Sequence, residues 1–148
     1  MELKEVYTVV GKPGLYRYVA NAPRGIIMES LLDKKRLRVD MSANVSTLAE
    51  IAIYTSEGEF PLWKVLNAMR AYQKEIYAIG KTTTKQEVVD LFAKIVPNYD
   101  TERVYESNMR KVMKWYTILS DNGMDDFTTE SRDEGKDTKA DRQESPNE

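Results

Sequence analysis

Neither histidine nor cysteine occurs anywhere in this chain of 148 residues. Without imidazole or thiol there is no serine–histidine–aspartate or cysteine–histidine nucleophile, no nitrogen or sulfur ligand for zinc, and no disulfide. Any catalysis would have to run on carboxylates, lysine, tyrosine or serine, and no recognisable constellation of these stands out. The expectation is therefore a protein that is not an enzyme, with no cofactor and no metal site. Long apolar runs are missing too. No segment approaches the ~20 consecutive apolar residues that a membrane span needs, so no membrane partner is expected. The opening residues Met1-Glu2-Leu3-Lys4 lack the apolar core of a secretory signal, and the absence of cysteine fits a reducing compartment; both point to a cytoplasmic location.

Charge is close to balanced, at −2 overall, but it is unevenly placed. Residues 1–56 hold eight Lys/Arg against six Asp/Glu, residues 57–123 hold ten against nine, and residues 124–148 hold four against nine. A mildly basic body thus carries an acidic end. Such a body suits a phosphate-bearing partner without announcing one.

The first third of the chain reads as short strands cut by turn residues. Strands are expected over residues 3–10, 15–20, 26–32 and 36–39, separated by Gly11-Lys12-Pro13-Gly14, by Asn21-Ala22-Pro23-Arg24-Gly25 and by Asp33-Lys34. Thr47-Leu48-Ala49-Glu50 has the Thr-x-x-Glu spacing of a capping box and predicts one helical turn before a fifth strand at 51–55. Four meander strands, a turn of helix and a fifth strand give the order of a small Src-homology-3-like β-barrel, whose closure would protect the edges of so small a sheet.

Ser56-Glu57-Gly58-Glu59-Phe60-Pro61 then marks the expected boundary. Leu62, Val65, Leu66, Met69, Tyr72 and Ile76 recur at helical spacing after Pro61. A second helix opens at Thr84, whose hydroxyl and Glu87 form another Thr-x-x-Glu box, and stops before Pro97. A third is signalled by Ser107 as cap, with Met109, Val112, Met113, Tyr116 and Leu119 on one face and Asn122-Gly123 at its end. From residue 124 onward only Met124, Phe127 and Ala140 are apolar, too few to offset the entropy of ordering. The expected fold is thus α+β: a five-stranded barrel over residues 1–56, a three-helix module over 57–123 and a disordered acidic tail over 124–148.

Several of these segments together resemble a known family. Gly11-Lys12-Pro13-Gly14-Leu15-Tyr16, Glu29-Ser30-Leu31, Ile51-Ala52-Ile53-Tyr54-Thr55 and Gly58-Glu59-Phe60-Pro61-Leu62 in the first half are similar to an uncharacterised family of small Bacteroidetes proteins, described as a domain of unknown function. In the second half Pro97-Asn98-Tyr99-Asp100, Arg103-Val104-Tyr105, Ser107 and Lys111 with Lys114-Trp115-Tyr116 continue the resemblance. In the family's pattern an aspartate follows the serine, whereas this chain has Asn108. The resemblance implies a shared bacterial fold and no particular activity.

Two surfaces stand out as binding candidates. Lys34, Lys35, Arg36 and Arg38 form the densest basic run. With Arg17 and the neighbouring Tyr16 and Tyr18 they could hold phosphates while rings stack on bases; the plain alternative is a solvated strand face with tyrosines in the core. Arg110, Lys111 and Lys114 share the outward face of the third helix, beside a polar and aromatic link that contains Tyr99, Asp100, Arg103 and Tyr105. That link is about ten residues long where a helix-turn-helix wants roughly 3–4, which argues against a groove-reading helix. Gly11-Lys12-Pro13-Gly14 is a turn between strands and not a phosphate loop, because no helix follows it. Trp63, Trp115 and Tyr116 suit core packing better than interface anchoring. The functional expectation is a non-enzymatic binding or adaptor protein whose partner is a nucleic acid or ribonucleoprotein, with a protein-binding scaffold or homo-oligomer as the alternative.

Overall fold

Turn chemistry builds the first sheet. In the computed structural model, which describes residues 1–129, Gly11 at φ 87° turns strand β1 (Val6–Val9) into β2 (Lys12–Ala22). Strand β3 (Gly25–Ser30) follows after only Pro23 and Arg24. The left-handed residue of that turn is Arg24, at φ 59°, and not the glycine beside it. Gly25 meets a different need: a Cβ there would stand 2.4 Å from the carbonyl oxygen of Val39, so glycine is required for that close approach across the sheet. The left-handed conformation at Arg24 costs about 1–2 kcal/mol.

Strands β4 (Arg36–Asp40) and β5 (Val45–Thr47) complete an antiparallel sheet of order β4-β3-β2-β1-β5. Its two edges are joined by residues 41–44 alone. Across a flat sheet the four inter-strand gaps would span about 19 Å, while five fully extended Cα steps reach only about 17–18 Å. The reach is shorter still, because the Ala43 N–H donates to Asp40 O (2.9 Å) and folds the connection into a turn. The sheet must therefore bend. Its inner curve buries Val9, Tyr16, Met28 and Val39, with Tyr7, Ile26, Leu37 and Ala43 packed against them.

The expected barrel is not formed, however. No hydrogen-bonded ladder joins β4 to β5, and the sheet stays open. The residues expected to close it, 51–55, belong elsewhere: β6 (Ala52–Thr55) pairs with β7 (Gly58–Pro61) as a separate hairpin. Ser56 and Glu57, expected to lie outside regular structure, are the tip of that hairpin, and Gly58 at φ 106° supplies its left-handed residue. The fifth strand of the sheet is instead the short β5, which precedes the helical turn. That turn is present as a 3-10 helix at Leu48–Glu50, where Thr47 Oγ1 accepts from Ala49 N–H (3.2 Å) and donates to Leu3 O (2.9 Å).

Helix α1 (Leu62–Met69) follows Pro61 as its N-cap residue and buries Leu62, Val65, Leu66 and Met69. The single helix expected from the spacing of Leu62 to Ile76 is broken: a 3-10 turn at Arg70–Tyr72 separates α1 from the short α2 (Gln73–Tyr77). Helix α3 (Lys85–Ile95) starts with the expected capping box. Thr84 Oγ1 accepts from Glu87 N–H (3.1 Å), and Glu87 Oε1 accepts from Thr84 N–H (2.8 Å). Helix α4 (Glu106–Asp121) is capped at Tyr105 rather than at Ser107, which sits inside the first turn. Its amide cap is Asn108, whose Oδ1 accepts from Tyr105 N–H (2.8 Å).

One core joins sheet and helices. Leu3, Val6, Leu15, Leu31 and Leu48 pack with the buried faces of α1, α3 and α4. Alternation along β2 sends Leu15 to this core and Tyr16 to the inner curve of the sheet. Helix α4 is the hub, burying Met109, Val112, Met113, Trp115, Tyr116, Ile118 and Leu119. Trp115 and Tyr116 are thus core residues.

Residues 124–129 are packed where their composition suggests disorder. Gly123, at φ 90°, donates to Ser120 O and Met124 N–H donates to Leu119 O (both 3.0 Å), a paired helix ending that turns Met124 back onto the core. Met124, Phe127 and Thr129 are buried. Phe127 packs on Tyr116 with ring centroids 5.6 Å apart, and its N–H donates to Asn67 Oδ1 (2.9 Å). The remaining residues of the expected disordered tail, 130–148, lie outside the described residues. Among the described residues no helix is long and apolar enough to cross a membrane.

Candidate nucleic-acid interface

The two candidate surfaces differ in what balances their charge. On the outer face of the sheet, register sets Glu29 opposite both Arg17 and Arg36. Glu29 Oε1 lies 3.7 Å from Arg17 and 3.5 Å from Arg36, so one carboxylate serves two guanidinium groups. Arg38 donates to Pro23 O, and Lys34 donates to Asn122 Oδ1. Tyr16 is buried on the opposite face and donates to Pro13 O (3.0 Å), which leaves no ring face for a base. Tyr18 is partly exposed and donates to Asn21 Oδ1 (2.8 Å). Of the basic run, Lys35 is exposed and makes no side-chain ion pair among the described residues.

Helix α4 presents a different picture. Its wide buried stripe leaves a narrow outward face centred on Lys111 and Lys114, both exposed. Three grooves meet at that face. One of about 600 Å³ runs between α4 and the Tyr77–Lys81 stretch after α2, and Lys81, Lys111 and Lys114 line it. A second, of about 520 Å³, lies between α4 and the β1–β2 hairpin, with Lys12, Lys111 and Lys114 around a wall of Val10, Ile51 and Trp115. A third, of about 220 Å³, is lined by Tyr54, Arg103, Asn108 and Lys111. The second and third have no carboxylate in their linings, and the first has only Asp121. Among the described residues Lys12, Lys81, Lys111 and Lys114 make no ion pair.

The other residues of this surface divide between scaffold and site. Arg110 is a clamp: it pairs with Glu106 one turn earlier and donates to Gly80 O (3.1 Å) and Thr83 O (2.5 Å), which ties the loop before α3 to α4. Tyr99 is also structural, edge-on to Phe92 with centroids 5.5 Å apart and bridged to Thr55. Arg103 remains at the surface, 3.7 Å from Asp100 and with its guanidinium 4.9 Å above the Tyr54 ring. Tyr105 is 62% exposed. Tyr77 closes the far end of the large groove by donating to Asp121 Oδ1 (2.7 Å). Burial raises the Tyr77 pKa above its ordinary 10.0; a hydrogen bond with Ser120 opposes the rise and Asp121 adds to it. Among the described residues no three acidic side chains converge as a metal site would require.

Lys12, Lys81 and Tyr54 had no signal in the sequence. Lys12 opens β2 just after the hairpin turn, and nothing local says that this hairpin rises beside a helix a hundred residues away.

Two family models cover the chain in succession. Domain of unknown function DUF5606 matches residues 3–48 and domain of unknown function DUF6852 matches residues 51–119. A solution NMR structure of a protein from Bacteroides vulgatus is 35% identical, with a TM-score of 0.61, and the match covers 82% of this chain and 87% of that one. The chain belongs to this uncharacterised Bacteroidetes family. No curated protein matches it. The family's two matched segments meet at the 3-10 turn, and the groove beside the β1–β2 hairpin takes one wall from each: Thr8 to Gly14 and Ser46 from the first, Ile51, Lys111, Lys114 and Trp115 from the second. Such junctions are where ligand clefts most often form.

Proposed function

We propose that this protein is a non-enzymatic, cytoplasmic binding protein that takes the phosphates of a nucleic acid on the outward face of α4. The observation that carries the reading is the convergence of three grooves on Lys111, two of which Lys114 also lines, with Lys12 and Lys81 on the flanking walls and a single carboxylate among the linings. Cations confined in a concave wall of low dielectric focus a positive field, and lysines without carboxylate partners keep their charge for an external anion. The outer sheet face supports the same reading less well, since Glu29 already balances two of its arginines.

The test is equilibrium binding of the full chain to labelled nucleic acid by fluorescence anisotropy, repeated over a range of salt. Three or four phosphate contacts imply a slope of log affinity on log salt of about −2 to −4. Replacing Lys12, Lys111 and Lys114 by glutamine should weaken binding and flatten that slope by about 2–3. Absence of binding at low salt to any nucleic acid, single-stranded or duplex, sinks the proposal. The exposed apolar side chains of Val10 (74%) and Met41 (76%) favour a second reading, a protein-binding scaffold or homo-oligomer. A concentration-dependent sedimentation coefficient of the purified chain would support that one instead.

A further inference from the structure

We infer that the nucleic acid held on this face is single-stranded, with its bases stacked on Tyr54 and Tyr105 at the Arg103 end of the site; this rests on the function proposed above and narrows it. The first observation is where the aromatic rings are left. Most tyrosines of the helical half are committed to packing or to hydrogen bonds: Tyr99 against Phe92, Tyr116 to Gln73 Oε1, Tyr77 to Asp121. Tyr105 is not. It is 62% exposed at the start of α4, two residues beyond Arg103, and its hydroxyl has no hydrogen-bond partner among the described residues. Tyr54 is 41% exposed and carries the Arg103 guanidinium over one face. Tyr54, Arg103 and Lys111 line the same small groove. Arg103 also lies 3.7 Å from Asp100, so the phosphates fall to Lys111 and Lys114; exposed rings beside a lysine-lined groove are the elements of a single-strand platform, in which the rings take base faces.

The second observation is the shape around α4, which disfavours a duplex. A helix that enters a major groove must stand clear of its own protein, with a short turn before it. Seven residues of α4 are buried, and ten residues separate it from α3. The β1–β2 hairpin and the loop at Gly80 and Lys81 flank it on either side and leave grooves between. A rigid duplex would meet those flanks first, whereas a flexible strand can follow the grooves past Lys111 and Lys114.

The experiment compares the full chain's affinity for a short labelled single strand of mixed sequence, for the duplex of the same sequence, and for inorganic polyphosphate, which has charge but no bases. The single strand should bind more tightly than either. Tyr105→Ala, at a surface position, should weaken single-strand binding by roughly 5- to 150-fold, the value of one stacked base, and leave polyphosphate binding unchanged. Tyr54→Leu should behave alike, with far-UV circular dichroism confirming that both variants fold. If the duplex or polyphosphate binds as tightly as the single strand, or if neither tyrosine variant loses affinity, the single-strand inference is overturned while the broader proposal stands on the duplex result. If no nucleic acid binds, both fall together.

Discussion

Replacing Phe127 by alanine offers the sharpest test of how the core is closed. By composition Phe127 belongs to an acidic tail with nothing to pack against, and its removal should then change nothing. In the structure its ring is 1% exposed, lies 5.6 Å from the Tyr116 ring, and is fixed by the N–H bond to Asn67. Truncating a buried phenylalanine costs about 3–5 kcal/mol from lost transfer energy and the cavity left behind. Here the segment after Gly123 can shift to fill part of the space, so the low end, about 3 kcal/mol, is expected. For a chain of this size that corresponds to a fall in Tm on the order of 10 °C. Urea unfolding followed by tryptophan fluorescence reports on it directly, because Trp115 lies in the same core. The control is Tyr105→Ala, exposed and outside the core, which should stay within about 0.5 kcal/mol of the parent. Equal midpoints for Phe127→Ala and the parent would refute the packed segment and restore a tail that starts at residue 124.

Three other outcomes follow from single contacts. Thr84→Ala removes one half of the capping box of α3 and should cost about 1 kcal/mol by the same urea assay, with Thr84→Ser restoring most of it. Gly25→Ala places a methyl group 2.4 Å from Val39 O, so β3 and β4 must separate locally; a loss of about 1–3 kcal/mol is expected, together with faster amide exchange in β4. Burial raises the pKa of Tyr77 and of Tyr116, helped at Tyr116 by the neighbouring Tyr77, above the ordinary 10.0. The folded chain then keeps protons that the unfolded chain gives up, so their contribution is complete below pH 10 and is lost as pH rises through the folded-state values. Thermal melts should show a Tm that falls as pH rises above 10, and a shallower fall in Tyr77→Phe.

Much of the fold was legible locally. The capping box at Thr84, the turn glycine at Gly11, the helical spacing in α1 and the stop at Asn122-Gly123 each act through neighbours within a few residues, and a pattern in the chain is enough to read them. The misreadings have a common cause. The sequence around 45–55 contains two short strands and a turn of helix, and local preference cannot tell which strand joins the sheet and which pairs with Gly58–Pro61. The long helix was broken by a 3-10 turn at Arg70–Tyr72 without any proline or glycine to mark it. The cap of α4 moved from Ser107 to Tyr105, because the Asn108 amide reached back to satisfy the first N–H.

The candidate site divides along the same line. Residue types and spacing in the chain were sufficient to establish that Lys111 and Lys114 share one outward face of an amphipathic helix, and that any chemistry requiring imidazole or thiol is excluded. Which cations stay free for a partner was decided only by tertiary packing. Cross-strand register placed Glu29 between Arg17 and Arg36, whereas the fold brought Lys12 beside Lys111 and Lys114 with no carboxylate between them. Electrostatic balance depends on distances through space, and those distances are set by how the sheet bends and what the helices bury.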